Sequence, residues 1–431
     1  MKKDIGLTPF KIIKGGRTET AEESTKEFIS AYATDTRLMG VTGLYIHWFL
    51  PDNQTNTHLH QFFSLDAEEF GLDTYESFLG NGSEDDNYQI RKIEAKIIGG
   101  LGGEKIILTE REARRLVQKY VDFNLRTKQT LPGNLNEYQF LLANRIELSE
   151  TEKYVLMCKQ CSLITSENQV INYFLMRCFG YDFSGAKFLT KNYVRTNLFP
   201  ELGCSAMLMN TIDEANDITS GINTDYYCTD DDKNFGTFNT RKSYICQSVI
   251  DTEEKYYLAV TQITLDHLKV VGFEKISCFQ ITLTEVAMMT ARPEYVSVID
   301  FFGDDSEINE DSTPLLSTSI MTQYDEGRLF MIFFPHNKHV GRNPFHLNDD
   351  VFGIYYVMES GQILLSAYSR ENLLTLEKDC LTSLGDFVQP VAKYRFDSPV
   401  LFDFIKNGFD DFIDFAETIS EEGDDYNPED N

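Results

Sequence analysis

The sequence predicts an α+β fold of mainly antiparallel sheets with flanking helices, and three observations carry that prediction. Short apolar runs at 44–50 and 329–334 are each followed by a Pro-containing turn, and Arg241–Phe302 shows strand-like alternation with many β-branched residues. Thr109, Ser149 and Ser166 are followed three positions on by Glu112, Glu152 and Gln169, the spacing of a helix-opening capping box. Residues 398–420 place apolar side chains at helical intervals with acids elsewhere on the wheel.

A chain of 431 residues exceeds what one hydrophobic core usually serves, so two or three units are expected. The formal charge of −29 argues against direct attachment to nucleic acid or to an anionic membrane, both of which need clustered Lys and Arg. It fits a basic partner, and it also serves solubility alone. The eight cysteines are scattered, several inside apolar runs, where they behave as small core hydrophobes. The start MKKDIGLTPFKIIKGG lacks the uninterrupted apolar stretch of a secretion signal, and no window has the apolar length of a membrane span. A reducing cytoplasm without disulfides is the expectation.

In chain order, residues 1–135 read as an N-terminal α+β unit. Within it IRKIEAKII (90–98) reads as a strand, GGLGG (99–103) as a hairpin turn and EKIIL as the returning strand. A helix from Thr109 follows, with Ala113, Leu116, Val117, Tyr120 and Leu125 largely on one face, ending at Pro132-Gly133. Residues 136–240 form a helix-rich middle segment, in which Gly180 closes the second capped helix. Residues 241–302 return to strand-like alternation, 303–314 read as an acidic linker, and 315–397 as a C-terminal α+β unit. Ser398 and Pro399 open an acidic amphipathic helix over 398–420, weakened at Gly408 by about 1 kcal/mol relative to alanine. Residues 421–431 cannot bury enough apolar surface to order themselves and read as a disordered acidic tail.

Residues 44–50 followed by Pro51 and a polar loop to His58-Leu59 resemble residues 329–334 followed by Pro335 and a polar loop to His346-Leu347. The first copy then reaches EKIIL and a helix with Arg111-Glu112; the second reaches GQILL and a helix with Arg370-Glu371. Either a strand-loop-strand-strand-helix unit is duplicated, or common strand and Pro-Asx turn patterns coincide.

His58 and His60 stand two apart, so a strand would point both to one face, with His47 upstream; this trio is the candidate for a divalent metal. His336, Lys338, His339, Arg342 and His346 concentrate donors in one loop and are the candidate for an anionic ligand. The pattern competes with ordinary surface histidines and a polar connection between strands. Leu401, Ile405, Phe409 and Phe412, flanked by Asp410, Asp411 and Asp414, are the candidate partner-binding face. Cys158 and Cys161 lack a second CxxC for zinc, and Asp230–Asp232 fail the calcium-loop spacing at Phe235 and Arg241. GGLGG is followed by a strand instead of a helix, against a phosphate loop. The helix at 109–128 is the most basic of the chain, with acids interleaved.

With no catalytic signature in view, the leading expectation is a non-enzymatic protein-interaction or regulatory protein whose acidic surfaces bind a basic, or nucleic-acid-binding, protein partner. No cofactor is predicted. The alternatives are a metal-dependent or anion-binding enzyme at the histidine loops, and an assembly protein built from repeated units.

Overall fold

The computed structural model describes residues 26–51, 57–81, 83–101, 103–162, 164, 166–203, 205–215, 241–304, 308–309, 311–334 and 351–420. Over these it is an α+β protein with three antiparallel sheets. None of its helices is long and apolar enough to cross a membrane.

The first sheet begins as a meander of β1 (Glu27–Thr34), β2 (Val41–Leu50), β3 (Thr57–Asp66) and β4 (Gly71–Gly80). Helix α1 (Glu84–Ile97) follows, and β5 (Lys105–Leu108) then pairs with β1, giving the order β4-β3-β2-β1-β5. Residues 90–97, read as a strand, are therefore helical. The helix starts upstream at Ser83, whose hydroxyl accepts from Asp86 N while Asp86 Oδ2 accepts from Ser83 N. Ala95 and Ile98 are its buried side chains, with Ile90, Ile93 and Ile97 half-buried beside them. Ile98 lies against Gly43 of β2, where a Cβ would come within 2.8 Å of its side chain. The expected hairpin at 99–103 is instead a short helical turn over Gly99–Leu101. Glycine is required at 99 because a Cβ there would stand 2.6 Å from the carbonyl oxygen of Met321.

Helix α2 (Glu110–Thr127) opens with the expected capping box of Thr109 and Glu112 and packs across the other face of the sheet. Ala113, Leu116, Val117, Tyr120 and Val121 are its buried apolar face, whereas Leu125 is 63% exposed, against the sequence reading. Helices α3 (Leu135–Leu142), α4 (Glu150–Gln160), α5 (Glu167–Phe179) and α6 (Phe183–Phe188) form the middle segment, and both predicted capping boxes, at Ser149 and Ser166, are present.

The second sheet runs β6 (Ala206–Glu214), β7 (Arg241–Asp251), β8 (Tyr256–Asp266) and β9 (Val270–Ile281) in sequential order. One of its faces shares a core with α5 and α6, and Leu38 and Met39, from the turn between β1 and β2, insert into that same core. Helix α7 (Leu283–Thr290) leads to β10 (Glu294–Phe301).

The third sheet adds β11 (Ser319–Tyr324), β12 (Gly327–Phe333), β13 (Val351–Met358), β14 (Gln362–Ala367), then α8 (Arg370–Leu384) and β15 (Val388–Phe396), in the order β11-β12-β13-β14-β10-β15. Side-chain alternation splits its core: Tyr355, Val357, Ile363 and Leu365 face α8, while Ile354, Tyr356, Met358 and Leu364 face the C-terminal helices α9 (Leu401–Asn407) and α10 (Phe412–Ser420). The stretch read as a linker contributes Ile308 and Thr313, both fully buried.

The similarity between residues 44–59 and 329–347 sets β2 against β12; His58-Leu59 of the first copy lie in β3, whereas residues 335–347 of the second lie outside the described residues. The next matched strands occupy different places. Strand β5 is an edge strand on β1, and β14 lies inside its sheet between β13 and β10. The correspondence stops there, so duplication is not established.

Candidate functional site

Cross-strand pairing brings His47, His58 and His60 together. His47 pairs with His60 and Phe49 with His58, and alternation sends Ile46, Trp48 and Leu59 to the α2 side while the histidines take the opposite face. The His47 and His60 rings stack at 4.3 Å, His47 Nε2 lies 2.9 Å from His58 Nδ1, and the Tyr45 hydroxyl lies 2.7 Å from His60 Nδ1. The imidazoles thus spend these contacts on one another and on Tyr45. Among the described residues no three His, Cys, Asp or Glu side chains are placed to hold a metal ion.

Burial, followed by the neighbouring imidazole of His58, lowers the His47 pKa to about 4; burial and the His47 and His58 rings lower that of His60 to about 4, with Asp86 opposing. Both are neutral in the folded chain at pH 7. Below pH 6.5 the unfolded chain takes up protons that these folded histidines refuse, so stability is present above that pH and is lost as pH falls toward 4. The expected loss is on the order of 3 kcal/mol for the pair, after discounting for their partial exposure. Thermal midpoints at pH 7, 5.5 and 4 should drop less steeply in His47→Gln/His60→Gln than in the natural chain; equal slopes would count against this account.

The anion-loop candidates His336, Lys338, His339, Arg342 and His346 lie outside the described residues. The C-terminal partner face is described, and it is not a single exposed helix. Gly408, at φ 65°, caps α9, and a second helix begins at Phe412. Leu401 and Phe412 are fully buried, and Ile405 and Phe409 half-buried, against the third sheet. Asp411 is committed to structure: its Oδ1 accepts from Ile413 N at 2.6 Å and its Oδ2 from the Gln362 amide at 2.6 Å. Asp410 and Asp414 remain exposed. The apolar stripe expected to receive a partner is therefore covered by the chain's own sheet.

Residues that sequence reasoning missed meet where the first sheet joins the middle helices. Arg37, 2% exposed, forms a two-pronged ion pair with Asp182, 3% exposed, the second contact being 2.8 Å. Arg177 pairs with Glu68 at 2.7 Å, and Glu68 also accepts from Tyr181 N at 2.6 Å. Burial works against ionisation of Asp182, but Arg37 and Arg177 hold its pKa below the ordinary value; at Glu68 burial outweighs Arg177 and raises it. Two glycines make room for this network. A Cβ on Gly180 would stand 1.8 Å from Glu68 Oε2, and one on Gly40, at φ 95°, would stand 2.1 Å from Arg177 Nη1.

Above this joint lies an open cavity of about 360 Å³. Its walls are the turn after β3 (Asp66, Glu68, Glu69), the turn after β7 (Asp251, Glu253), and the residues Ser205–Met207 leading into β6, with Met176 and Arg177 of α5. Five acidic residues and one arginine line it, and Glu68 already pairs that arginine. Asp66 holds its turn by accepting from Glu68 N and Glu69 N, and Asp251 does the same from Glu253 N, so both acidic turns are fixed in shape. The arrangement offers excess negative charge around methionine side chains, a lining that suits the charged head and methylene stem of Lys or Arg.

Comparison with family models, with curated proteins and with solved structures returns no match, so the functional reading rests on geometry.

Proposed function

We propose that this chain is a non-catalytic interaction protein that receives a basic segment of a protein partner in the acidic cavity between the first and second sheets. The carrying observation is the set of five carboxylates on two shaped turns around one concave surface. A Lys or Arg side chain entering there meets carboxylates in a recess where solvent screening is weaker than on an open surface. Its aliphatic stem covers Met176 and Met207, which lie between the charged turns. The exposed acids elsewhere steer a basic partner toward the chain, and the cavity supplies the place where it docks.

Hydrogen exchange on the full chain with and without a lysine/arginine-rich peptide tests the location. Protection is expected at the turns 66–69 and 251–254 and at 205–207. Binding without protection in any of these segments would contradict the proposal.

A further inference from the structure

Against the acidic majority of the chain, α2 carries a basic groove on the side facing away from its sheet. Arg115, Lys119, Asp122 and Arg126 recur at intervals of four, three and four, which places them in one stripe opposite the buried Leu116, Val117 and Tyr120. Arg145 closes the second wall. Its stretch of chain is fixed to the helix by Gln118, which donates to Leu141 O at 2.8 Å and accepts from Ile146 N at 2.8 Å, and by Arg114, which donates to Ala143 O at 2.6 Å. Together with the 63% exposed Leu125 these residues enclose an open groove of about 480 Å³.

The charges in it do not cancel. Asp122 is matched by Arg145, whose guanidinium reaches it at 2.5 Å, and Arg126 donates only to the Asp122 carbonyl. Arg115 has neither hydrogen bond nor ion pair to another described residue; Lys119 has the flank of the Tyr120 ring 5.3 Å away, and burial, with Arg37 and Arg115 outweighing Asp182, lowers its pKa to about 8, so it still carries its charge at pH 7. Like charges four apart on a helix cost a few tenths of a kcal/mol, so this stripe is locally unfavourable as it stands. A compact multivalent anion would reverse that cost.

We propose that this groove binds an oligophosphate chain. Arg115 and Arg126 supply planar forks that match paired phosphate oxygens, and Lys119 between them supplies a point charge. The surplus of three positive charges around one groove fits a chain of phosphates better than a single carboxylate. The site is on the other side of α2 from the sheet and does not depend on the acidic cavity or its partner.

Calorimetric titration of the full chain with sodium triphosphate, ATP and citrate at matched ionic strength tests the proposal. Saturable binding of triphosphate is expected, weakened at least tenfold in Arg115→Ala/Lys119→Ala and again in the single variant Arg145→Ala, with unchanged thermal midpoints. ATP binding as tightly as triphosphate would identify the phosphate chain as the whole determinant; tighter ATP binding with the same loss in the variants would identify a nucleotide as its source. Three results would overturn it: no saturable binding, affinity unchanged in the variants, or citrate binding as tightly as triphosphate.

Discussion

Replacing Arg37 with alanine should lower stability by about 3–5 kcal/mol, because it leaves the Asp182 carboxylate buried without its cation. Asp182→Ala should cost a similar amount for the mirror reason, and it also removes the acceptor of Gly185 N at the start of α6. The paired replacement Arg37→Met/Asp182→Leu should cost much less than either single change, since it removes both charges and keeps the volume filled. Denaturant midpoints of the four chains measure this. Single variants indistinguishable from the natural chain would mean that water reaches the pair and that the joint is not sealed. The effect is expected to be large because Leu38 and Met39, next to Arg37, carry the first unit's turn into the core of the second.

The second large effect lies at the C-terminus. Phe412 is fully buried and contacts Phe404, Phe415, Tyr394 and Phe396, so Phe412→Ala should cost about 3–5 kcal/mol. Removing residues 398–431 should do more. It uncovers Val296, Val298, Leu329, Ile354, Tyr356 and Leu364 together. It also strips the buried Glu294 of the Val400 and Leu401 N–H groups that its carboxylate accepts at 2.5 and 3.1 Å, leaving Ser366. The truncated chain is expected to aggregate. A soluble monomer with an unchanged thermal midpoint would show that α9 and α10 are an appendage after all. Loss of a partner on such a deletion would report unfolding of the third sheet's outer layer, and so could not by itself locate the binding surface.

What the sequence revealed and what it concealed follow from the range of the interactions. The capping boxes at Thr109, Ser149 and Ser166 are local, lie within four residues, and place α2, α4 and α5 correctly. Helix α1 is ambiguous in sequence because Ile90, Ile93, Ile97 and Ile98 satisfy both a helical and an extended pattern, and its start at Ser83 uses Asp86 where the capping-box rule expects Glu or Gln. The two terminal helices look like one in sequence because the apolar periodicity continues across Gly408, although that residue's left-handed backbone ends the first segment. Pointing His58 and His60 to one face needed only the two-residue period of a strand, and pairing then supplied His47. The joint was invisible for the opposite reason: Arg37 and Asp182 are 145 residues apart, and nothing near either marks it as half of a buried pair. The acidic cavity is likewise assembled from turns of two sheets, each of which looks in sequence like an ordinary polar connection.

The most direct measurement of the central proposal is a fluorescence-anisotropy titration of a labelled lysine/arginine-rich peptide against three full-length chains: natural, Glu69→Lys/Glu253→Lys in the cavity, and Glu371→Lys/Asp386→Lys at the two ends of α8. The two variants change net charge equally and differ only in place. At least tenfold weaker binding is expected in the cavity variant, with the control variant within about twofold of the natural chain. Equal weakening in both would show that the peptide follows overall charge and that the cavity is not the docking site.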